Sequence, residues 1–230
     1  MYSKDNPESI RTMFDNIAES NDSVNNIITF GLHNNIKKDA INLLPAIEYN
    51  RIIDLCTGTG DIALLLGKKF PKAHILATDF SSKMLEEAKN KILGENNIML
   101  EKADVMALPY DHNVFDLATM FFGMRNLPDV NRAIQSIYEI LKPEGLFLVV
   151  DIVKNYEKDT INTYFEHFVP KIGSFFSKDK EAYKYLAQSR ETYPSHDGLM
   201  RILQKNKFRI IRRKRYLNGI ISLNLAKKYE

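Results

Sequence analysis

Three features of the sequence predict an α/β fold with a doubly wound, mostly parallel seven-stranded sheet. From Arg51 to Ile152, short β-branched or apolar runs alternate with segments of helical period, the rhythm of parallel strands joined by crossover helices. The run Ile52-Ile53-Asp54-Leu55 enters a turn with glycines at 58 and 60, and Asp61 then opens an apolar-periodic helix. Late in the chain Asn218-Gly219 joins two strand-like runs, a strong hairpin signal and hence an antiparallel end to the sheet.

The elements follow in order. Residues 8–44 read as helices, because Ile10, Met13, Phe14 and Ile17 recur at helical spacing, as do Ile36, Ala40, Leu43 and Leu44. A polar, asparagine-rich joint is expected between them at Asn21–Asn26. Then come strand Ile52–Leu55, helix Asp61–Phe70, strand His74–Thr78, helix Ser82–Ile92 and strand Ile98–Lys102. Phe115–Phe121 is apolar enough to be a buried strand. Asn131–Leu141 is a helix, and Leu146–Ile152 is a second buried strand after a turn at Pro143–Gly145. Beyond 153, Tyr156–Phe168 and Asp179–Thr192 look helical and aromatic-rich, interrupted by Pro170 and Gly173. Helix Gly198–Lys205 and the closing strands Phe208–Leu217 and Ile220–Ala226 complete the chain.

At 230 residues, 44% hydrophobic and 27% charged, the chain is one large domain, or a domain with an added helical layer, able to bury a full core. A net charge of +3 is too small to imply a nucleic-acid partner. Lys205 to Arg215 holds seven basic residues in eleven positions, read chiefly as the exposed face of a late strand, with contact to an anionic membrane surface as the lesser reading. Cys56 is the only cysteine, so no internal disulfide forms and a reducing compartment fits; it reads as a small packing residue under the glycine turn. Met1–Ser9 lacks the apolar core of a signal peptide and no run approaches the ~20 residues of a membrane span, so a cytoplasmic setting is expected.

A strand, a glycine turn and a helix start together make a nucleotide cradle, with free backbone N–H groups aimed at the ligand. Gly58-x-Gly60-x-x-Ala63 fits the final-Ala variant of the dinucleotide fingerprint, and Asp79 lies 19 positions past Gly60, where a carboxylate can accept from ribose hydroxyls. Both NAD and S-adenosylmethionine satisfy this much. Asp54, four residues before Gly58, favours the second: a carboxylate there repels a pyrophosphate and suits a ligand carrying an ammonium or sulfonium. The set resembles the first motif of class I S-adenosylmethionine-dependent methyltransferases.

Further motifs narrow the resemblance. Met13-Phe14-Asp15-x-Ile17-Ala18, Asp22-x-x-Asn25 and Phe30-Gly31-x-His33 come before the cradle. Asp79-Phe80-Ser81, Met84-Leu85, Asp104-x-Met106-x-Leu108-Pro109, Phe122-Gly123-Met124-Arg125-Asn126 and Leu141-Lys142-Pro143-x-Gly145 follow it. Pro170-x-x-Gly173, Tyr183-x-Tyr185-Leu186 and Pro194 stand in the tail. Together they resemble the UbiE/MenG-type C-methyltransferases of quinone biosynthesis, and the Gly-Met-Arg-Asn and Tyr-Lys-Tyr-Leu pieces are the most discriminating. The resemblance implies a Rossmann-like methyltransferase core at 47–153, a helical substrate cap at 1–46, a helical lid at 154–206 and closing strands at 207–230. It implies S-adenosylmethionine as cofactor, with Thr59 and the backbone of Gly58 and Gly60 at its methionine part, Asp54 nearby, Asp79 and Phe80 at the ribose, and Asp104 and Val105 at the adenine.

The implied acceptor is a polyprenylated quinol, as in demethylmenaquinol to menaquinol, with the benzoquinol of ubiquinone biosynthesis as its counterpart. Such a reaction needs no metal. Arg125 is expected to stabilise phenolate charge, Asn126 to orient a hydroxyl or a bridging water, and His33 to serve as general base or as a packing residue. Tyr164, Phe165, Phe168, Phe175 and Phe176 are expected to line a channel for the isoprenoid tail. Transient membrane contact at the inner face is expected, and a homodimer is compatible with the resemblance. One departure stands out: relatives usually carry a tyrosine where this chain has Asn21, which cannot act as a base. The alternatives are a methyltransferase for another small acceptor and a non-catalytic cofactor-binding partner in the quinone pathway.

Overall fold

The computed structural model describes residues 2–29, 31–154, 163 and 179–229. Seven strands form a single sheet: β1 (Arg51–Leu55), β2 (His74–Asp79), β3 (Ile98–Lys102), β4 (Phe115–Phe121), β5 (Leu141–Ile152), β6 (Phe208–Tyr216) and β7 (Ile221–Lys228). Their spatial order is β3-β2-β1-β4-β5-β7-β6. The pairs β1–β2, β1–β4, β2–β3 and β4–β5 are parallel, while β7 runs antiparallel to both β5 and β6. The order reverses beside β1, where β2 leaves on one side and β4 on the other, and such a switch point opens a crevice at the strands' carboxyl ends.

Helices cover both faces. Helices α1 (Pro7–Ile17), α2 (Asn21–Ile28), α3 (Leu32–Asn42), α4 (Asp61–Lys69) and α5 (Ser82–Lys91) contribute to a core with Ile52, Ile75, Leu148 and Leu225. On the other face α6 (Val130–Ile140) and α8 (His196–Lys205) pack Ile134, Ile137, Leu199 and Leu203 against Ile53, Leu55, Phe147 and Val149. Consecutive strand residues thus point to opposite cores, as the two-residue side-chain period requires. Helix α7 (Lys180–Gln188) runs into a 3-10 turn at Ser189–Thr192. Side-chain caps mark many of the helix starts, among them Asn6, Ser81, Asp129, Asp179 and Ser195.

Two expectations need correction. Asn21–Asn26 is not a joint but most of α2, an amphipathic helix whose Val24 is fully buried, and its polar face meets partners in the core rather than solvent alone. The turn at Pro143–Gly145 is not a break before β5 but an irregularity inside it. Phe115 pairs with Leu141 and Leu117 with Leu146, so the extra residues bulge out, with Glu144 at φ 64°. The hairpin at Asn218-Gly219 holds: Leu217, Asn218 and Gly219 all take left-handed backbone between the last two strands. The basic run Lys205–Arg215 lies mostly on β6, the edge strand. The expected helix Tyr156–Phe168 apart from Thr163, the Pro170-x-x-Gly173 motif and the five channel aromatics lie outside the described residues.

Candidate active site

The ends of β1, β2 and β4 converge on one cleft. Asp54 closes its floor, only 1% exposed, and both its oxygens are taken up: Thr57 Oγ1 donates to Oδ2 and Thr119 Oγ1 to Oδ1, each at 2.6 Å. Burial pushes its pKa up to about 6, the two hydroxyls pull it down in part, and the nearby charge of Asp79 adds to the rise. Asp79 accepts from the backbone N–H of Gly58 and of Ser81, each at 2.9 Å, which fixes the turn against the end of β2. Its pKa is likewise raised to about 6, by burial before all else. Two buried carboxylates with raised pKa thus flank one glycine turn, partly protonated near pH 6.

The two glycines of the turn serve different ends. Gly58 has φ +56° and open space where a side chain would point, so the backbone there is bare toward the cleft. Gly60 has φ +84°, but a Cβ would come within 3.1 Å of Ala88 Cβ, so its bareness lets α4 sit against α5. Gly60 therefore does not line the cleft, whereas Gly58 and Thr59 do. Cys56 supports the turn from beside it: a Cβ on Gly123 would lie 2.6 Å from that of Cys56. Burial and the surrounding carboxylates hold its thiol well above the ordinary value, so it stays protonated where it lines the cleft.

After β4, the loop Phe122–Asn126 crosses the cleft mouth. Phe122 takes φ 59°, and the turn that follows delivers Arg125 and Asn126 inward. Arg125 is fastened from several directions: Nη1 donates to Asp151 Oδ1 and to the carbonyl of Phe122, both at 2.6 Å, and Nε donates to Ser189 Oγ at 3.2 Å. Its backbone N–H also donates to Asp151 Oδ2 at 2.9 Å. Nη2 is left without a hydrogen bond among the described residues. Asn126 donates through Nδ2 to the Phe122 carbonyl at 3.3 Å, which sets the amide's direction, and its buried Oδ1 has no partner. A buried acceptor with nothing to accept costs about 1–3 kcal/mol, so an incoming O–H would find it waiting.

His33 stacks on Phe122, ring centroids 4.9 Å apart. Burial, reinforced by the Lys37 ammonium, lowers its pKa to about 3. It is neutral, yet a poor proton holder.

The helices before β1 close the cleft from above with a charged cluster. Asp22 of α2 accepts from Thr59 Oγ1 at 2.7 Å and pairs with Lys91. Lys91 also pairs with Asp61 and donates to Thr59 at 3.0 Å, while Lys37 of α3 donates to the other oxygen of Asp61 at 2.7 Å. Burial alone would raise Asp61, but the two lysines outweigh it and hold it at about 2.

Asp54, Gly58, Thr59, Asp79, Phe80, Asp104, Val105, His33, Arg125 and Asn126 all line this one cleft; of the predicted site residues only Gly60 does not. Asp104 is exposed at the rim, with Oδ1 capping the turn at Met106 N and Oδ2 free of hydrogen bonds among the described residues. Missed from sequence were Lys37, Lys91 and the hydroxyl partners of Asp54, and the role of Asp151 as the counter-charge of Arg125. Thr57 lies in the same turn as Asp54, three residues on; the others meet their partners across the fold, where no local pattern announces them. Among the described residues no group of three or more His, Cys, Asp or Glu is placed to hold a metal, and no helix is long and apolar enough to cross a membrane.

The fold and cleft have counterparts among known proteins. The profile of the ubiE/COQ5 methyltransferase family matches residues 2–228. The chain belongs to that family. Within it, the chain is 34% identical to the ubiquinone/menaquinone biosynthesis C-methyltransferase UbiE of Rickettsia akari, over 95% of this chain and 92% of that one. It is 32% identical to the demethylmenaquinone methyltransferase of Staphylococcus aureus strain JH9, over 98% and 95%. Solved structures share the fold at lower identity. A SAM-dependent methyltransferase from Aquifex aeolicus is 18% identical with TM-score 0.62, covering 84% of this chain and 89% of that chain. The [4+2]-cyclase SpnF is 15% identical with TM-score 0.71, covering 96% and 95%. These neighbours share the fold alone; the ubiE/COQ5 relationship rests on the full-length sequence match.

Proposed function

We propose that this ubiE/COQ5 family member transfers a methyl group from S-adenosylmethionine to a ring carbon of a polyprenylated quinol, in menaquinone or ubiquinone biosynthesis, with demethylmenaquinol as the leading acceptor. The residues fit the cofactor. Gly58 is bare where a ligand backbone must approach, Asp54 and Asp79 await positive charge or hydroxyl donors, and Asp104 has an oxygen free at the rim. When bound, the cofactor supplies an activated methyl on a positively charged sulfur.

The remaining work falls to the chain. A quinone is an electrophile, so the acceptor must be the reduced ring, whose ortho carbon becomes nucleophilic as a hydroxyl proton leaves. Asn126 Oδ1, buried and unpaired, accepts from that hydroxyl or from a water beside it, and this orphan acceptor is the observation that carries the reading. Arg125 offers Nη2 to the developing phenolate; since Asp151 already neutralises much of its charge, its contribution is directional more than electrostatic. His33 contacts the acceptor without holding its proton. A phenol-like hydroxyl of pKa ~10 giving its proton to a base at about 3 would climb about 10 kcal/mol. A lone water is a weaker base still, so the proton leaves through bound water to a base in bulk solvent, and Asn21, which has no titratable group, takes no part.

Helices α1–α3 act as the substrate cap in this reading. The exposed basic residues of β6 make transient contact with an anionic membrane surface, an attraction that added salt weakens. A homodimer is the assembly to test by sedimentation.

Purified protein, labelled S-adenosylmethionine and a reduced short-chain demethylmenaquinone decide among the readings. Label in the quinol supports the proposal. Label only in another added acceptor supports a different small-molecule methyltransferase, and tight cofactor binding without transfer supports a non-catalytic partner.

A further inference from the structure

We propose that Lys37 is the cationic partner of the cofactor's α-carboxylate, completing a site whose other charges facing the cleft are mostly acidic. The inference rests on S-adenosylmethionine as the cofactor and is independent of which acceptor is methylated.

The amino-acid head of that cofactor carries an ammonium and a carboxylate. The cleft offers the ammonium several acids, Asp54 and Asp79 among them, but a carboxylate entering the same space needs a positive charge with donors to spare. Lys91 has none. Its ammonium serves Asp22, Asp61 and Thr59 at once, three donors for three partners, and it does not line the cleft. Arg125 and Arg190 also line the cleft, but Arg125 is bound to Asp151 and Arg190 pairs with Glu191 at 3.4 Å, and they stand on the turns Met124–Asn126 and Ser189–Thr192 rather than in the cluster at the glycine turn.

Lys37 differs from these. It lines the cleft, is only 7% exposed, and among the described residues makes a single hydrogen bond, 2.7 Å to Asp61 Oδ2. An ammonium carries three N–H groups, so two remain unspent. Leaving two donors of a buried cation unanswered is costly, and a carboxylate can take both with charge-assisted bonds. Position supports the assignment. Asp61 links Lys37 to Lys91 and so to Thr59, which places Lys37 in the cluster that crowns the glycine turn. Gly58 of that turn is bare toward the same cleft that Lys37 lines. On this view Lys91 is a positioning residue: it neutralises Asp22 and the second oxygen of Asp61, and leaves Lys37 as the charge available to the ligand.

Titration calorimetry on the full chain tests this with three probes: S-adenosylmethionine, S-adenosylhomocysteine and decarboxylated S-adenosylmethionine. The wild type is expected to prefer the carboxylate-bearing cofactor over its decarboxylated form by about 10- to 100-fold, the range for hydrogen bonds to charged groups. Lys37→Met should weaken the first two probes by a similar factor and leave the third unchanged or tighter, because a cation facing its extra positive charge is gone. Lys37→Arg should restore the preference in part, and circular dichroism verifies that each variant is folded. The proposal is overturned if the wild type does not discriminate, or if Lys37→Met shifts all three probes in parallel. If that variant does not fold, the wild-type comparison and Lys37→Arg still decide. Failure of the wild type to bind any of the three would instead overturn the cofactor assignment.

Discussion

Replacing Arg125 by alanine strips a buried carboxylate of its counter-charge. Asp151 is fully buried, and Arg125 gives it both a guanidinium N–H at 2.6 Å and a backbone N–H at 2.9 Å; alanine keeps only the second. Stranding one member of a buried pair costs about 3–5 kcal/mol. Asp151 has an escape, because burial already lifts it above the usual carboxylate range despite Arg125, and without Arg125 it takes up a proton. The folded variant then holds a proton that the unfolded chain, with Asp at ~3.9, releases. Stability therefore falls by about 1.4 kcal/mol per pH unit above about pH 4, until the buried carboxyl ionises. Urea unfolding followed by circular dichroism at pH 5 and pH 8 reads this directly. The loss relative to wild type should be several kcal/mol at pH 8 and clearly smaller at pH 5, and adding Asp151→Asn to Arg125→Ala should remove the pH dependence. A loss below about 1 kcal/mol at both pH values, the range of an exposed pair, would refute the reasoning.

Three further outcomes follow from the site. His33→Asn should lower turnover only a few-fold and leave the shape of the pH–rate profile intact, since a ring with pKa about 3 carries no proton in the working range; loss of a limb from the profile would contradict this. Asn126→Leu, which removes the unpaired Oδ1, should cut kcat/KM for the quinol by about 10- to 100-fold, as expected for a lost hydrogen bond of ~1.5–3 kcal/mol, with cofactor affinity unchanged by calorimetry. Asp54 and Asp79, raised to about 6, are partly protonated near pH 6 and should release protons when the cationic cofactor binds. Calorimetry in buffers of different ionisation enthalpy should detect that release at pH 6 and not at pH 8. For stability the sign is reversed: the folded state binds these protons more tightly than the unfolded one, so their contribution declines as pH rises from about 4 to about 6.

The sheet was legible because its signals are local. Alternation of apolar strands with helical periods predicted each of β1 to β5, and Asn218-Gly219 predicted the antiparallel return. Helix α2 was misread because Asn21–Asn26 is polar by composition. Its stability comes from Val24 in the core and from Asp22 bonded to Thr59 and Lys91, partners 37 and 69 residues away. The bulge in β5 hid for a similar reason, since Pro143–Gly145 has turn chemistry and only the pairing with β4 keeps it within a strand. In the site, strand ends gave Asp54 and Asp79, and the resemblance gave Arg125 and Asn126. What the strand ends could not give was who holds each group: Thr119 is 65 residues from Asp54, Asp151 is 26 from Arg125, and Asp61 is 24 from Lys37. Those pairings exist only once the sheet has brought distant segments together, and they change the chemistry by tethering Arg125 and by holding Asp61 well below the usual carboxylate range.

The most direct test of the central claim is where the methyl group goes. With ¹³C-methyl S-adenosylmethionine and a short-chain demethylmenaquinone, NMR of the product should show the label on a ring carbon, and only when the quinone has been reduced. A label on oxygen, equal transfer to the oxidised ring, or no transfer to either form would contradict the account.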